Sequence, residues 1–195
     1  VDEKYVISAS DVDSVYKIPE VFAKQNIHKL IFDKLNLPMV ESSSNWHNLL
    51  EENEKLNGSK PKINIAICGK YTTLEDSYAS VVEAIKHASI VNKAQTKIHF
   101  IDTENVDLNK LKYMDGVIIP GGFGSRGVEG KIEIIKYCRE NNIPFLGICY
   151  GLQLAVIEFA RNICKLNDAN TTEIHKETKN PIIDILPDKK DLKNM

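Results

Sequence analysis

The chain has 195 residues, 43% of them apolar and 27% charged, with a formal net charge of −2 at pH 7. That length fits one ordinary domain, or one domain with an appendage, and the near balance of charge gives no reason to expect nucleic acid or an anionic membrane as partner. No apolar run is long enough to cross a bilayer and no N-terminal signal pattern is present, so a cytoplasmic protein is expected. The cysteines Cys68, Cys138, Cys149 and Cys164 lack metal-ligand spacing and read as reduced thiols, so no metal site is expected.

Residues 1–61 carry too few apolar side chains to bury a core of their own and need a partner surface. Tyr5-Val6-Ile7-Ser8 suits a strand. Pro19 suits the first turn of a helix with Val21, Phe22, Ile27, Leu30, Ile31 and Leu35 on its apolar face, in two pieces broken near Asn26. Ser42-Ser43-Ser44 marks a loop before a helix through Trp46, Leu49, Leu50 and Leu56. Asn57-Gly58-Ser59-Lys60-Pro61 reads as a linker. The expected division is a helical linker segment over 1–61 and a domain over 62–195.

From Lys62 onward strands and helices alternate. Strands are expected over 63–68, 98–101, 116–119 and 143–148, and helices over 76–91, 108–111, 128–141 and 150–162. Such alternation means an α/β fold: an open, mostly parallel sheet with helices on both faces. Its active site belongs beyond the carboxyl ends of the strands. Residues 181–186 are expected to open a strand pair whose partners lie beyond the last residue, with Asp188-Lys189-Lys190-Asp191 after them.

Cys149 falls at one of those strand ends. The run Ile143-Pro144-Phe145-Leu146-Gly147-Ile148 leads into Cys149-Tyr150-Gly151 and then an amphipathic helix. This order places Cys149 on a sharp strand-to-helix turn with glycines on both sides, the cysteine form of a nucleophile elbow. A helix N-terminus also favours the thiolate. The competing reading is a buried structural thiol. A second strand end carries Pro120-Gly121-Gly122-Phe123-Gly124, whose side-chain-free backbone suits an oxyanion hole, or else a plain phosphate-binding or surface loop.

Pro-Gly-Gly-Phe-Gly followed by Gly-Ile-Cys-x-Gly-x-Gln resembles a class I glutamine amidotransferase domain, with its flavodoxin-like core. The segments Lys70-Tyr71, Leu74, Asp76, Tyr78-Ala79-Ser80-Val81, Glu83-Ala84, 123–132 and 155–162 resemble the CTP synthase family, as does 11–19. The resemblance implies that 1–61 is the end of a synthetase (amidoligase) domain with its linker, and that 62–195 is the first part of a glutaminase domain. It implies Cys149 as nucleophile, the N–H groups of Gly122 and Tyr150 as oxyanion hole, and Gly122, Phe123, Gln153 and Glu173 around bound glutamine, with Glu173 on its ammonium. Without the resemblance, Gln153 is only a polar residue in a first helical turn and Glu173 a solvated carboxylate.

The resemblance further implies that Asp11 and Val12 lie near an ATP base. The whole enzyme is expected to make CTP from UTP, ATP and glutamine, with ATP and Mg²⁺ in the synthetase domain, GTP as activator coupled through the 126–131 loop, and a homotetramer. No cofactor is expected on this stretch itself. The family's general base is a downstream His-x-Glu. His175-Lys176-Glu177 has that spelling but follows the nucleophile helix too soon, so the base is expected past Met195 and the stretch alone is expected to be inactive. His28, His47, His87 and His99 read as surface or packing residues. Two rivals stay open: an inactive glutaminase-like binding module, and a cysteine hydrolase or chaperone of similar fold.

Overall fold

The computed structural model describes residues 1–40, 45–56, 62–70 and 75–185. The expected Ser42–Ser44 loop, the 57–61 linker and the charged residues 188–191 lie outside them, as do Tyr71, Leu74 and the side chain of Asp76. The chain divides into two compact units, Val1–Ser59 and Lys60–Met195.

In the first unit, helix α1 (Ile18–Lys24) begins with Pro19 in its first turn, where the missing N–H has no intrahelical acceptor in any case. Asn26, in the left-handed region at φ 56°, separates α1 from α2 (Ile27–Leu35), the break expected from the sequence. Helix α3 (Asn45–Lys55) presents Trp46, whose indole N–H donates to the Tyr16 carbonyl at 3.0 Å with the two rings 6.2 Å apart. Tyr16, Leu50 and Leu56 are buried, whereas Ile31 and Leu35 of the α2 apolar face remain exposed. The expected strand over 5–8 is absent: Glu3–Tyr5 is a 3-10 turn. Residue 8 has no sheet neighbour because the Gln25 side-chain amide takes both its backbone groups, accepting from Ser8 N–H and donating to Ser8 C=O at 2.8 Å.

The second unit is built on β1 (Lys62–Gly69), β2 (Gln95–Asp102), β3 (Gly116–Ile119) and β4 (Phe145–Gly147), in sheet order β2-β1-β3-β4 and parallel throughout. Alternate residues of β1 serve opposite faces. Ile65 and Ile67 pack with Tyr78, Val81 and Ile85 around α4 (Ala79–Val91). Ala66 and Cys68 join Val117, Ile119, Ile132, Ile135, Leu154 and Ile157 against α5 (Val128–Glu140) and α6 (Tyr150–Asn162). Helices therefore cover both faces of an open parallel sheet, as expected. The unit closes on a parallel pair, β5 (Asn170–Thr171) with β6 (Pro181–Ile183). Residues 181–183 thus find a partner within the chain, where one beyond the last residue was expected. The Asp168 carboxylate ties down the intervening loop by accepting from Lys179 N–H and the Asn180 side chain.

Candidate active site

Three strands end at one edge: β1 at Gly69-Lys70, β3 at Pro120-Gly121 and β4 at Cys149. Ile148 N–H donates to the Ile119 carbonyl at 2.9 Å, carrying the β3–β4 ladder up to the residue before the thiol. Cys149 then turns the chain into α6, of which it is the N-cap residue, with φ 51° and ψ −106°. A side-chain-bearing residue in that conformation is strained by about 1–3 kcal/mol and persists only where its surroundings impose it. The surroundings are its glycines. A Cβ on Gly147 would lie 2.6 Å from the Gly151 backbone, and one on Gly151 would lie 2.2 Å from the Ile119 carbonyl oxygen. Neither glycine has a positive φ. Their role is to let strand, elbow and helix close on each other, while the unusual backbone angle sits on Cys149 itself.

The thiol is exposed, in contrast to the buried Cys68 and Cys138. It faces the glycine loop: a Cβ on Gly121 would lie 3.5 Å from the Cys149 Cβ. Three contacts hold that loop. Lys70 Nζ donates to the Phe123 carbonyl at 2.6 Å, the Tyr150 hydroxyl donates to the Gly124 carbonyl at 3.0 Å, and the Glu173 carboxylate accepts from Gly124 N–H at 3.2 Å. Burial, with the Glu173 carboxylate as a lesser cause, pushes the Tyr150 phenol up to about 12, so it stays a hydrogen-bond donor at neutral pH. Among the described residues, the backbone N–H groups of Gly122 and Tyr150 have no protein acceptor. They flank the thiol from the loop side and the helix side.

The residues singled out in the sequence divide clearly. Cys149, Gly122, Tyr150, Phe123 and Glu173 gather on one loop network. Gln153 lies in the first turn of α6, half-buried, its N–H donating to the Cys149 carbonyl at 3.2 Å. Phe123 presents its carbonyl to Lys70 and is 77% exposed as a residue. Asp11 and Val12 belong to the first unit. The 126–131 stretch is not a loop throughout: from Val128 it is helix α5, and Lys131 is 2% exposed. Arg126 instead pairs with Glu104 beyond β2, and Glu129 with Arg161. Among the described residues the Cys149 thiol has no hydrogen-bond partner. His175 contributes its N–H to the Thr171 carbonyl, His47 pairs with Glu20, and His99 with Asn64. Lys70 and Lys131 were missed as site residues; a lysine in the apolar pattern of α5 was the available signal.

An exposed thiol at a helix N-terminus, beside two unpaired N–H groups, can attack an acyl carbon and hold the resulting oxyanion. Residues 73–190 match the family described as glutamine amidotransferase class-I. The chain belongs to that family. Among its relatives, a CTP synthase of Borreliella afzelii is 47% identical over 200 residues, covering 100% of this chain and 37% of the relative. A CTP synthase of Hydrogenobaculum sp. is 44% identical over 191 residues, covering 97% and 35%. The chain thus spans little more than a third of the length of these amidotransferase relatives. A solved structure described as the glutaminase domain of Trypanosoma brucei CTPS with bound acivicin is similar with a TM-score of 0.62 and 35% identity, over 66% of this chain and 52% of that one. Among the described residues no helix is long and apolar enough to cross a membrane, and no three His, Cys, Asp or Glu side chains are placed to hold a metal ion.

Proposed function

We propose that this amidotransferase chain hydrolyses the side-chain amide of glutamine through Cys149, supplying ammonia for the conversion of UTP to CTP. The observation that carries the reading is the strained, exposed Cys149 at the N-cap of α6, with the unpaired N–H groups of Gly122 and Tyr150 on either side. The thiolate attacks the carboxamide carbon, and the carbonyl electron pair moves to an oxygen held by those two N–H groups. As the carbonyl re-forms, the C–N bond breaks, the nitrogen takes a proton and leaves as ammonia, and a glutamyl thioester remains. Water then cleaves the thioester to glutamate and restores the thiol.

Glutamine is placed over the loop by Phe123 and Gln153, and its ammonium by Glu173. One oxygen of Glu173 accepts from Gly124 N–H in the loop, which leaves its other oxygen to take the ammonium. Proton transfer is assigned to the His-x-Glu pair that the amidotransferase resemblance implies; no described imidazole bonds the Cys149 thiol. The CTP synthase relatives support the destination of the ammonia. On that reading ATP, Mg²⁺ and UTP bind a synthetase domain, of which 1–61 is the end, with Asp11 and Val12 near the ATP base. GTP as activator and a homotetramer belong to the same reading. No described cluster fits a metal ion, and no step here passes through one.

The test is labelling of Cys149 in the intact gene product by a diazo-ketone analogue of glutamine, read by mass spectrometry against Cys149→Ala. Labelling that glutamine suppresses is expected. Its absence at every pH would overturn the glutaminase reading in favour of a glutaminase-like binding module.

A further inference from the structure

Lys131 is one of the most deeply buried side chains of the second unit, 2% exposed, on the inner face of α5. A buried ammonium is normally matched by a carboxylate, because an isolated charge loses its hydration without compensation. Among the described residues Lys131 has no ion-pair or hydrogen-bond partner. Its ammonium instead lies 5.5 Å from the centre of the Tyr150 ring and 4.0 Å from where a Cβ on Gly122 would stand. Those are the two residues whose free N–H groups flank Cys149. The charged and titratable groups acting on it are Lys70 at the end of β1 and Cys68 on β1, with the Tyr150 ring of α6 against it; Tyr150 in turn feels the Glu173 carboxylate. Burial, then the neighbouring Lys70, holds its own pKa below the usual lysine range. Glu173, against the same loop, accepts from Gly124 N–H.

We propose that Lys131 is a positioning residue of the thiol site: its unpaired ammonium lies beneath the Gly121–Gly124 loop and favours negative charge gathered on the loop's other side. That charge is the Cys149 thiolate before attack and the tetrahedral oxyanion after it. The lysine touches neither substrate nor sulfur; it acts through the Gly122 peptide and the Tyr150 ring. A fixed cation in a desolvated position acts more strongly than the same charge in water and needs no rearrangement as the reaction proceeds. This inference rests on the glutaminase reading. It also explains why an amphipathic helix carries a lysine at a position its apolar pattern assigns to the core: the residue is retained at a cost in stability, as groups at functional sites are.

The variants are Lys131→Met, of similar shape without charge, and Lys131→Gln as a second removal of charge in case the first misfolds, both in the intact gene product. Labelling of Cys149 by the diazo-ketone analogue is followed against pH, together with glutamate release and thermal melting. The expected result is a half-maximal labelling pH displaced upward by roughly one unit, and kcat for glutamine lowered by roughly tenfold with KM little changed. The melting temperature of Lys131→Met is expected to equal or exceed that of the wild type, because a buried unpaired charge has gone. A purely structural lysine would lower the melting temperature and leave the pH profile in place, and that pattern overturns the proposal. Wild-type protein that labels, with both variants labelling at the same rate and pH, overturns it while sparing the glutaminase reading. Wild-type protein that never labels removes both.

Discussion

The Tyr150 hydroxyl donates to the Gly124 carbonyl at 3.0 Å, so the residue after the thiol on α6 reaches back and fastens the glycine loop that follows β3. Tyr150→Phe removes that bond while keeping the ring over Lys131. A net loss of about 1 kcal/mol in loop order predicts a several-fold fall in kcat/KM for glutamine, measured by glutamate release, with little change in melting temperature.

The elbow has no room for a side chain behind it. Gly151→Ala would place a Cβ 2.2 Å from the Ile119 carbonyl oxygen, a backbone atom that cannot swing away. Destabilisation of about 1–3 kcal/mol or more is expected in urea unfolding, with Gly147→Ala behaving alike. Gly121→Ala is the contrast: its Cβ would make an ordinary 3.5 Å contact with the Cys149 Cβ, so stability close to wild type is expected.

Arg139 grips Glu158 through its Nε and Nη2 N–H groups, at 2.8–3.2 Å, and the Glu158 side chain is 1% exposed. Arg139→Ala strands that carboxylate with only the Asn162 amide beside it. A loss of about 2–4 kcal/mol is expected, below the full penalty for a buried pair because the Arg139 side chain is 30% exposed. Joining it with Glu158→Leu should recover much of the loss, read by chemical denaturation.

Stability should fall in alkali. Burial pushes the Cys138 thiol from 9.0 up to about 11, pushes Cys68 further the same way, and pushes Tyr150 from 10.0 to about 12. The unfolded chain releases these protons at lower pH than the native one, so stability declines as pH rises from about 9 to about 11. Lys131 opposes the trend: its native pKa lies below the unfolded value of 10.5, which adds stability as pH rises between the two. Three acids against one base leave a net decline. Melting temperatures across that window check the sign, and Cys138→Ala should flatten the slope while lowering stability at neutral pH.

Helix α6 carries Leu152, Val156 and Phe159 exposed on one stripe, continued by its C-cap residue Ile163. Contiguous exposed apolar surface promotes association. A polypeptide of these 195 residues is expected to self-associate, and Phe159→Lys to reduce the associated fraction in light scattering. A monodisperse wild-type polypeptide would count against the prediction.

The alternation of β1 to β4 with α4 to α6, the break at Asn26 and the strand-to-helix turn at Cys149 were all readable from the sequence, because each rests on local periods and on residues with restricted backbone choices. The glycines around Cys149 were readable as the makers of a tight turn, but a sequence cannot show that Gly151 lies against the Ile119 carbonyl. Residues 5–8 have the apolar content of a strand, yet Gln25 occupies their hydrogen bonds. Residues 181–183 do form one, on a partner that only folding brings near. Lys131, Lys70 and Glu173 lie far apart along the chain and meet only at the edge where β1, β3 and β4 end. Residue type and spacing therefore determined which thiol stands at the strand-to-helix turn, whereas the charges and donors around it were decided by tertiary packing, because electrostatic effects depend on separation in space and on exclusion of water.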